Sequence, residues 1–178
     1  MHDPVLKRFL AHEFEQGMAL AADSDILDLV PLDALPATRY LAAFKTVGLC
    51  RDAAGQISEH DRWVFGVWFP PDYLRSAPHP GQVLTNLTQF NGAEEAFHPN
   101  LRGPSCCLKL QAGTGLNEIV HRLHELISYA AYSTADCLNP AAAEWVLGQD
   151  PRRFPLDRRP LKRRVAAGPV PTRMEVVA

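Results

Sequence analysis

Between Leu116 and Ala131 the apolar residues Leu116, Ile119, Val120, Leu123, Leu126, Ile127, Ala130 and Ala131 return every three or four positions. That period predicts a helix with one continuous apolar face, and a face of that length has to be covered by a second layer of the same domain. Thr114 closes the polar loop Gln111-Ala112-Gly113-Thr114-Gly115 and is placed to cap the helix that begins near Leu116.

The covering layer is written upstream. Asp3 can cap a first turn and Pro4 suits the first helical position, while Val5, Leu6, Phe9, Leu10, Ala11, Phe14 and Met18 share one helical face. Four strands are expected after this helix: Ile26 to Val30, closed by Pro31; Tyr40 to Leu49; Trp63 to Phe69; and Val83 to Thr88. The polar run CRDAAGQISEHD between the second and third reads as a loop. In the third strand Trp63, Phe65, Val67 and Phe69 alternate with Val64, Gly66 and Trp68, so the large apolar set belongs to one face of a sheet. Asn139 and Pro140 then cap and open a short helix, AAAEWVL, that Gly148 closes. Helix, four-stranded antiparallel meander, loop, long helix and short helix make an α+β layout.

Composition bounds the partners. A length of 178 residues gives one domain and a tail, which we divide as residues 1–150 and 151–178. The tail holds Arg152, Arg153, Arg158, Arg159, Lys162, Arg163 and Arg164 against one acid in that stretch, Asp157, so it reads as a packed or departing end or as a basic docking segment. A net charge of −2 gives no global attraction to nucleic acid or to a membrane surface, and neither is expected as a partner. No apolar run approaches the roughly 18 residues that span a bilayer, and MHDPVLKRFLAHEFEQ lacks the pattern of a signal peptide, so the expected location is cytoplasmic. There Cys50, Cys106, Cys107 and Cys137 are free thiols. His121 and His124 lie off the apolar stripe at a spacing that could meet a metal, but no third ligand is near in sequence; no metal and no cofactor are expected.

The chemistry concentrates in residues 97–110, FHPNLRGPSCCLKL. Pro99 biases His98 away from helical backbone and fixes a turn, with Asn100 at its corner. Two adjacent cysteines follow, and in an extended segment their side chains point to opposite faces. A thiolate exchanges acyl groups with a thioester at nearly balanced energy. Passing the acyl group on to an amine goes through a tetrahedral oxyanion, which a fixed amide donor beside the sulfur would stabilise. Asn100 is the candidate donor, and His98 is read as a constraint on the turn rather than a general base.

These residues resemble the catalytic segment of ubiquitin-conjugating enzymes: His98-Pro99-Asn100, a short loop with a glycine, then Cys107-Leu108-Lys109-Leu110. Phe69-Pro70-Pro71-Asp72-Tyr73 with Pro78 and Pro80 upstream, and Cys137-Leu138-Asn139-Pro140 downstream, agree in order, so the likeness spans about residues 60–147. The interval from Asn100 to Cys107 is one residue shorter than the family's usual one. The resemblance implies Cys107 as the thioester-forming nucleophile, with Cys106 in the place of an aliphatic residue. It implies Asn100 as oxyanion donor or loop brace, His98 and Pro99 as shapers of the loop, and Asn139 and Glu144 in the segment that faces the cysteine and orients an incoming lysine. It also implies that the exposed side of the first helix, Lys7, Arg8 and His12, meets an activating enzyme. The expected activity is conjugation: the modifier, a ubiquitin-like protein, is accepted from that enzyme and passed to an amine of a target protein, in the manner of bacterial members that serve antiphage defence. The alternative is a catalytically inactive module of the same fold that binds the modifier. A cysteine hydrolase built from Cys107, His98 and Asn100 would need a nucleophile–base line that a proline turn makes difficult. A zinc deaminase would need His-x-Glu and Pro-Cys-x-x-Cys, which the sequence does not have.

Overall fold

A computed structural model describes residues 3–76 and 79–162. Its order is α1 (Pro4–Ala22), β1 (Leu27–Pro31), β2 (Arg39–Phe44), β3 (Gly48–Arg51), β4 (Ile57–His60), β5 (Trp63–Trp68), α2 (Pro80–Val83), β6 (Leu84–Asn86), β7 (Glu95–Ala96), β8 (Leu101–Arg102), β9 (Ser105–Cys106), α3 (Leu116–Ile127) and α4 (Pro140–Leu147), then a 3-10 turn at Pro151–Arg153. The class is α+β, with an N-terminal helix and an antiparallel sheet ordered β1-β2-β5-β6. A second sheet, β4-β3-β7, and the hairpin β8-β9 complete it. Pro78, Arg163 and Arg164, cited above, lie outside the described residues.

Asp3 caps α1 by accepting a hydrogen bond from the Val5 amide at 2.9 Å, with Pro4 in the first turn. The buried line of α1 is Leu6, Leu10, Glu13, Gly17 and Leu20, with Phe9, Phe14 and Met18 against its edge. Val5 is 67% exposed and Ala11 is also outside, so the apolar face is rotated from the expected one and admits a carboxyl. The inner face of β5 is the expected set, Trp63, Phe65 and Val67, and with Phe69 these residues are buried beneath the helices.

The expected strand from Tyr40 to Leu49 is broken into β2 and β3. At the break the Val47 amide donates to Asp157 Oδ2 at 3.0 Å and the Lys45 carbonyl accepts from Arg159 at 2.6 Å, so distant side chains replace the strand ladder. Gly48 is required there because a Cβ would stand 2.6 Å from the Trp63 ring and 2.8 Å from the Ile127 carbonyl oxygen. The run read as a loop is the β3-β4 hairpin, turned by Asp52, whose backbone and side chain both accept from the turn and receive Gly55 and Gln56 amides. The fourth strand is shorter than expected: Val83 ends the α2 turn and β6 stops at Asn86.

The stripe of α3 is buried from Leu116 to Ile127, but the helix stops there, and Ala130 and Ala131 are exposed. Its cap is not Thr114, whose hydroxyl bonds Gln111 within the preceding loop. Glu13 of α1 accepts from the Leu116 amide at 2.5 Å instead. Residues 151–162 pack back on the body: Leu161 enters the main core, and Phe154 and Leu156 join a smaller cluster with Leu49, Phe97, Tyr129, Ala142 and Val146. Among the described residues no helix is long and apolar enough to cross a membrane.

Candidate active site

β7 pairs with β3 and delivers the chain to Phe97, whose amide donates to the Leu49 carbonyl at 2.9 Å. The next three residues are each tied to a different neighbour. His98 is 2% exposed; its Nδ1 accepts from the Asn100 amide at 3.0 Å, and its ring stands edge-on to Tyr129 with centroids 4.5 Å apart. Burial pushes its pKa down to about 3, with the Ala131 backbone offsetting only part of the shift, so the ring is neutral. The Pro99 carbonyl accepts from the Leu138 and Asn139 amides at 2.7 and 3.0 Å. Asn100, 5% exposed, accepts from the Ser133 amide at 2.8 Å and donates to the Asp136 carbonyl at 3.2 Å. The turn therefore holds the loop that follows α3 by its backbone.

That loop turns back because, two residues beyond the end of α3, Tyr129 takes φ 60°. A left-handed conformation costs a bulky residue roughly 1–2 kcal/mol, and here the surroundings impose it. The Tyr129 hydroxyl donates to the Phe97 carbonyl, and its ring stacks on Phe154 at 5.2 Å. Burial pushes the Tyr129 phenol up, so it stays a donor.

The two cysteines separate by burial. Cys106 lies in β9 opposite Leu101, 3% exposed, and burial raises its thiol pKa to about 12. Cys107, the next residue, is half-buried; its amide donates to the Asn100 carbonyl at 2.9 Å, and it lines a cleft of about 350 Å³. Asn100, Leu108 and Lys109 line it too, with Arg122, Glu125 and Leu126 of α3 and, from the loop beyond, residues 131–133 and Asp136. Lys109 Nζ pairs with Asp136 at 3.1 Å, both side chains being largely exposed. Arg122 is turned to Glu118 and to the Lys109 carbonyl.

The structure brings Cys107 and Asn100 to one cleft, with His98 bonded to the Asn100 amide and Pro99 to the Leu138 and Asn139 amides. Asn139 is buried, caps α4 by accepting from the Ala142 amide at 3.2 Å, and meets the site only through its own amide to Pro99. Glu144 is exposed on α4 and does not line the cleft. The acids that do line it are Glu125 and Asp136, which sequence reasoning passed over. Glu125 had a legible signal, since it is one residue before the apolar stripe position Leu126; Asp136 had none. His121 Nδ1 faces the Asn117 carbonyl at 2.7 Å, and among the described residues no group of three His, Cys, Asp or Glu could hold a metal.

No protein-family model and no curated protein matches the sequence.

Proposed function

We propose that this protein is a ubiquitin-like-protein conjugating enzyme that carries the modifier as a thioester on Cys107 and transfers it to an amine of a target. The observation that carries this reading is the contrast within one dipeptide: Cys106 is sealed in the core, while Cys107 opens into a cleft walled by a loop that Asn100 braces. The ordered likeness of residues 60–147 to that family supports it. A carrier needs a thiol that exchanges with another thioester and little acid–base assistance, because thiol and leaving group are alike. Neutral, enclosed His98 suits such a site as a strut.

Aminolysis asks for more. The Asn100 amide has two N–H donors; one goes to the Asp136 carbonyl, and the proposal assigns the other to the oxyanion that forms at the Cys107 thioester. Bracing and donation are then one role, since the bonds to Ser133 and Asp136 fix where the amide stands. Glu125 and Asp136, rather than Asn139 and Glu144, are the groups that would receive an incoming ammonium.

The test mixes the protein with an activating enzyme, ATP and a ubiquitin-like modifier and compares reducing and non-reducing gels. A thiol-sensitive adduct is expected in wild type and Cys106→Ala and is expected to vanish in Cys107→Ala. An adduct that survives Cys107→Ala and is lost in Cys106→Ala moves the nucleophile by one residue. If no adduct forms while the activating enzyme is itself charged, the protein is a binding module instead.

A further inference from the structure

The sheet β1-β2-β5-β6 has two faces, and α1 and α3 cover one of them. Leu29, Tyr40, Ala42, Phe65 and Leu84 point into the core shared with those helices. Their neighbours along each strand point the other way. Register places Val30, Leu41, Gly66 and Thr85 in one row across that outer face. Leu32, Arg39 and Trp68 make the row on one side of it, and Asp28, Ala43, Val64 and Leu87 the row on the other. Val30, Leu32, Trp68 and Leu87 are 43% to 52% exposed. With the half-buried Leu41, Ala43 and Val64 they leave on the order of 500 Å² of contiguous apolar surface, a patch of the size that marks an interaction site.

We propose that this face is an interface between two copies of the chain, packed sheet to sheet about a two-fold axis. The surface complements itself. Trp68 stands out at the end of β5, and two residues back on the same face Gly66 has no side chain, so a groove of about 850 Å³ opens there beside Leu41, Thr85 and Leu87. Knob and groove thus lie about 7 Å apart. A two-fold axis between them sends each Trp68 into the groove of the other copy, the reciprocal contact that a symmetric dimer requires. Charge does not oppose the pairing. Arg39 pairs with Asp33 at 3.4 Å and Lys45 with Asp28 at 3.3 Å, so the margins of the face carry both signs equally. The area suffices as well. A dimer interface of standard size buries about 800 Å² on each partner, about 65% of it apolar, and the patch supplies that share. Stacking two sheets about 10 Å apart brings the outer side chains together without moving either backbone. No residue that lines the Cys107 cleft belongs to this face, so the pairing uses none of that site and does not depend on Cys107 carrying an acyl group.

The experiment measures the mass of the full chain in solution by sedimentation equilibrium over about 1–100 µM, since interfaces of this size bind at micromolar affinity or tighter. Wild type is expected to move from 19.7 kDa toward twice that mass as concentration rises. Trp68→Glu removes the knob and Thr85→Glu charges the groove, and each is expected to weaken association at least tenfold. Val5→Glu, at an exposed position on α1, is expected to leave association unchanged. Circular dichroism and urea midpoints of the variants separate loss of pairing from loss of fold. A single copy of wild type at every concentration overturns the proposal, as does a dimer that survives both Trp68→Glu and Thr85→Glu or one that Val5→Glu weakens equally. If wild type stays monomeric and a free ubiquitin-like modifier binds it but not Trp68→Glu, the face belongs to that partner, and the proposal is overturned in the same way.

Discussion

His98 is the residue whose role its neighbours decide. Its Nδ1 lone pair is occupied by the Asn100 amide, so a neutral ring carries its proton on Nε2 and has no base to offer. The energetic consequence appears in pH dependence. Above pH 6.5 the ring is neutral in folded and unfolded chains alike. Between 6.5 and about 3 the unfolded chain takes up a proton that the folded chain refuses, so stability present at neutral pH is lost as pH falls through that window. The slope from this one group reaches about 1.4 kcal/mol per pH unit. His98→Asn keeps an acceptor for the Asn100 amide and removes the titration. Urea midpoints of the variant are expected to start lower at pH 7 and to fall less steeply than wild type from pH 6.5 to 4; parallel curves would show that His98 does not titrate as its burial requires.

Among the elements, α1 and α3 are joined by a cap that neither contains alone. Glu13 supplies the oxygen that the first turn of α3 lacks, and Gly115 leaves room for it, since a Cβ there would stand 2.7 Å from the carboxyl. Glu13→Ala is expected to destabilise the protein by about 2 kcal/mol, because a buried amide loses a strong acceptor. Chemical denaturation measures it, and a loss under about 0.5 kcal/mol would mean that water replaces the carboxyl. The same pair shows what sequence could tell. The stripe from Leu116 to Ile127, the alternation in β5, and the caps at Asp3 and Asn139 depend on neighbours a few residues away, and they were legible. Thr114 was a sound local cap that lost to Glu13, 103 residues distant. The break at Val47 was invisible because its partner, Asp157, comes 110 residues later. In the site, the proline turn could be read from the chain. The cleft acid Asp136 could not, because the loop that carries it turns back to the cleft only once Tyr129 adopts a left-handed backbone that tyrosine rarely takes.

At the scale of the molecule, residues 151–162 behave as a strap rather than a free basic end. Arg152 pairs with Asp150, Arg153 lies over the Trp145 ring, and Arg159 pairs with Asp157. Burial opposes the charge on Asp157, but hydrogen bonds from Arg159 and from the Arg159 and Val47 amides hold its pKa down at about 2. Along the strap, the Leu156 amide donates to the Ser128 carbonyl at 2.8 Å, Phe154 stacks on Tyr129, and Leu161 is sealed in the core. Two points on the strap therefore separate stability from function. Leu161→Ala removes a buried side chain far along the chain from the site and is expected to cost about 2–4 kcal/mol. Phe154→Ala, at a half-buried position, is expected to cost less, about 2 kcal/mol. Yet Phe154 is the stacking partner of Tyr129, which ties Phe97 to the loop that walls the Cys107 cleft. Hydrogen exchange is thus expected to rise at residues 97–100 and 129–136 in Phe154→Ala, and to change there by less than the global loss in Leu161→Ala. If exchange in both variants rises evenly across the domain, the strap is only part of the core and does not hold the site.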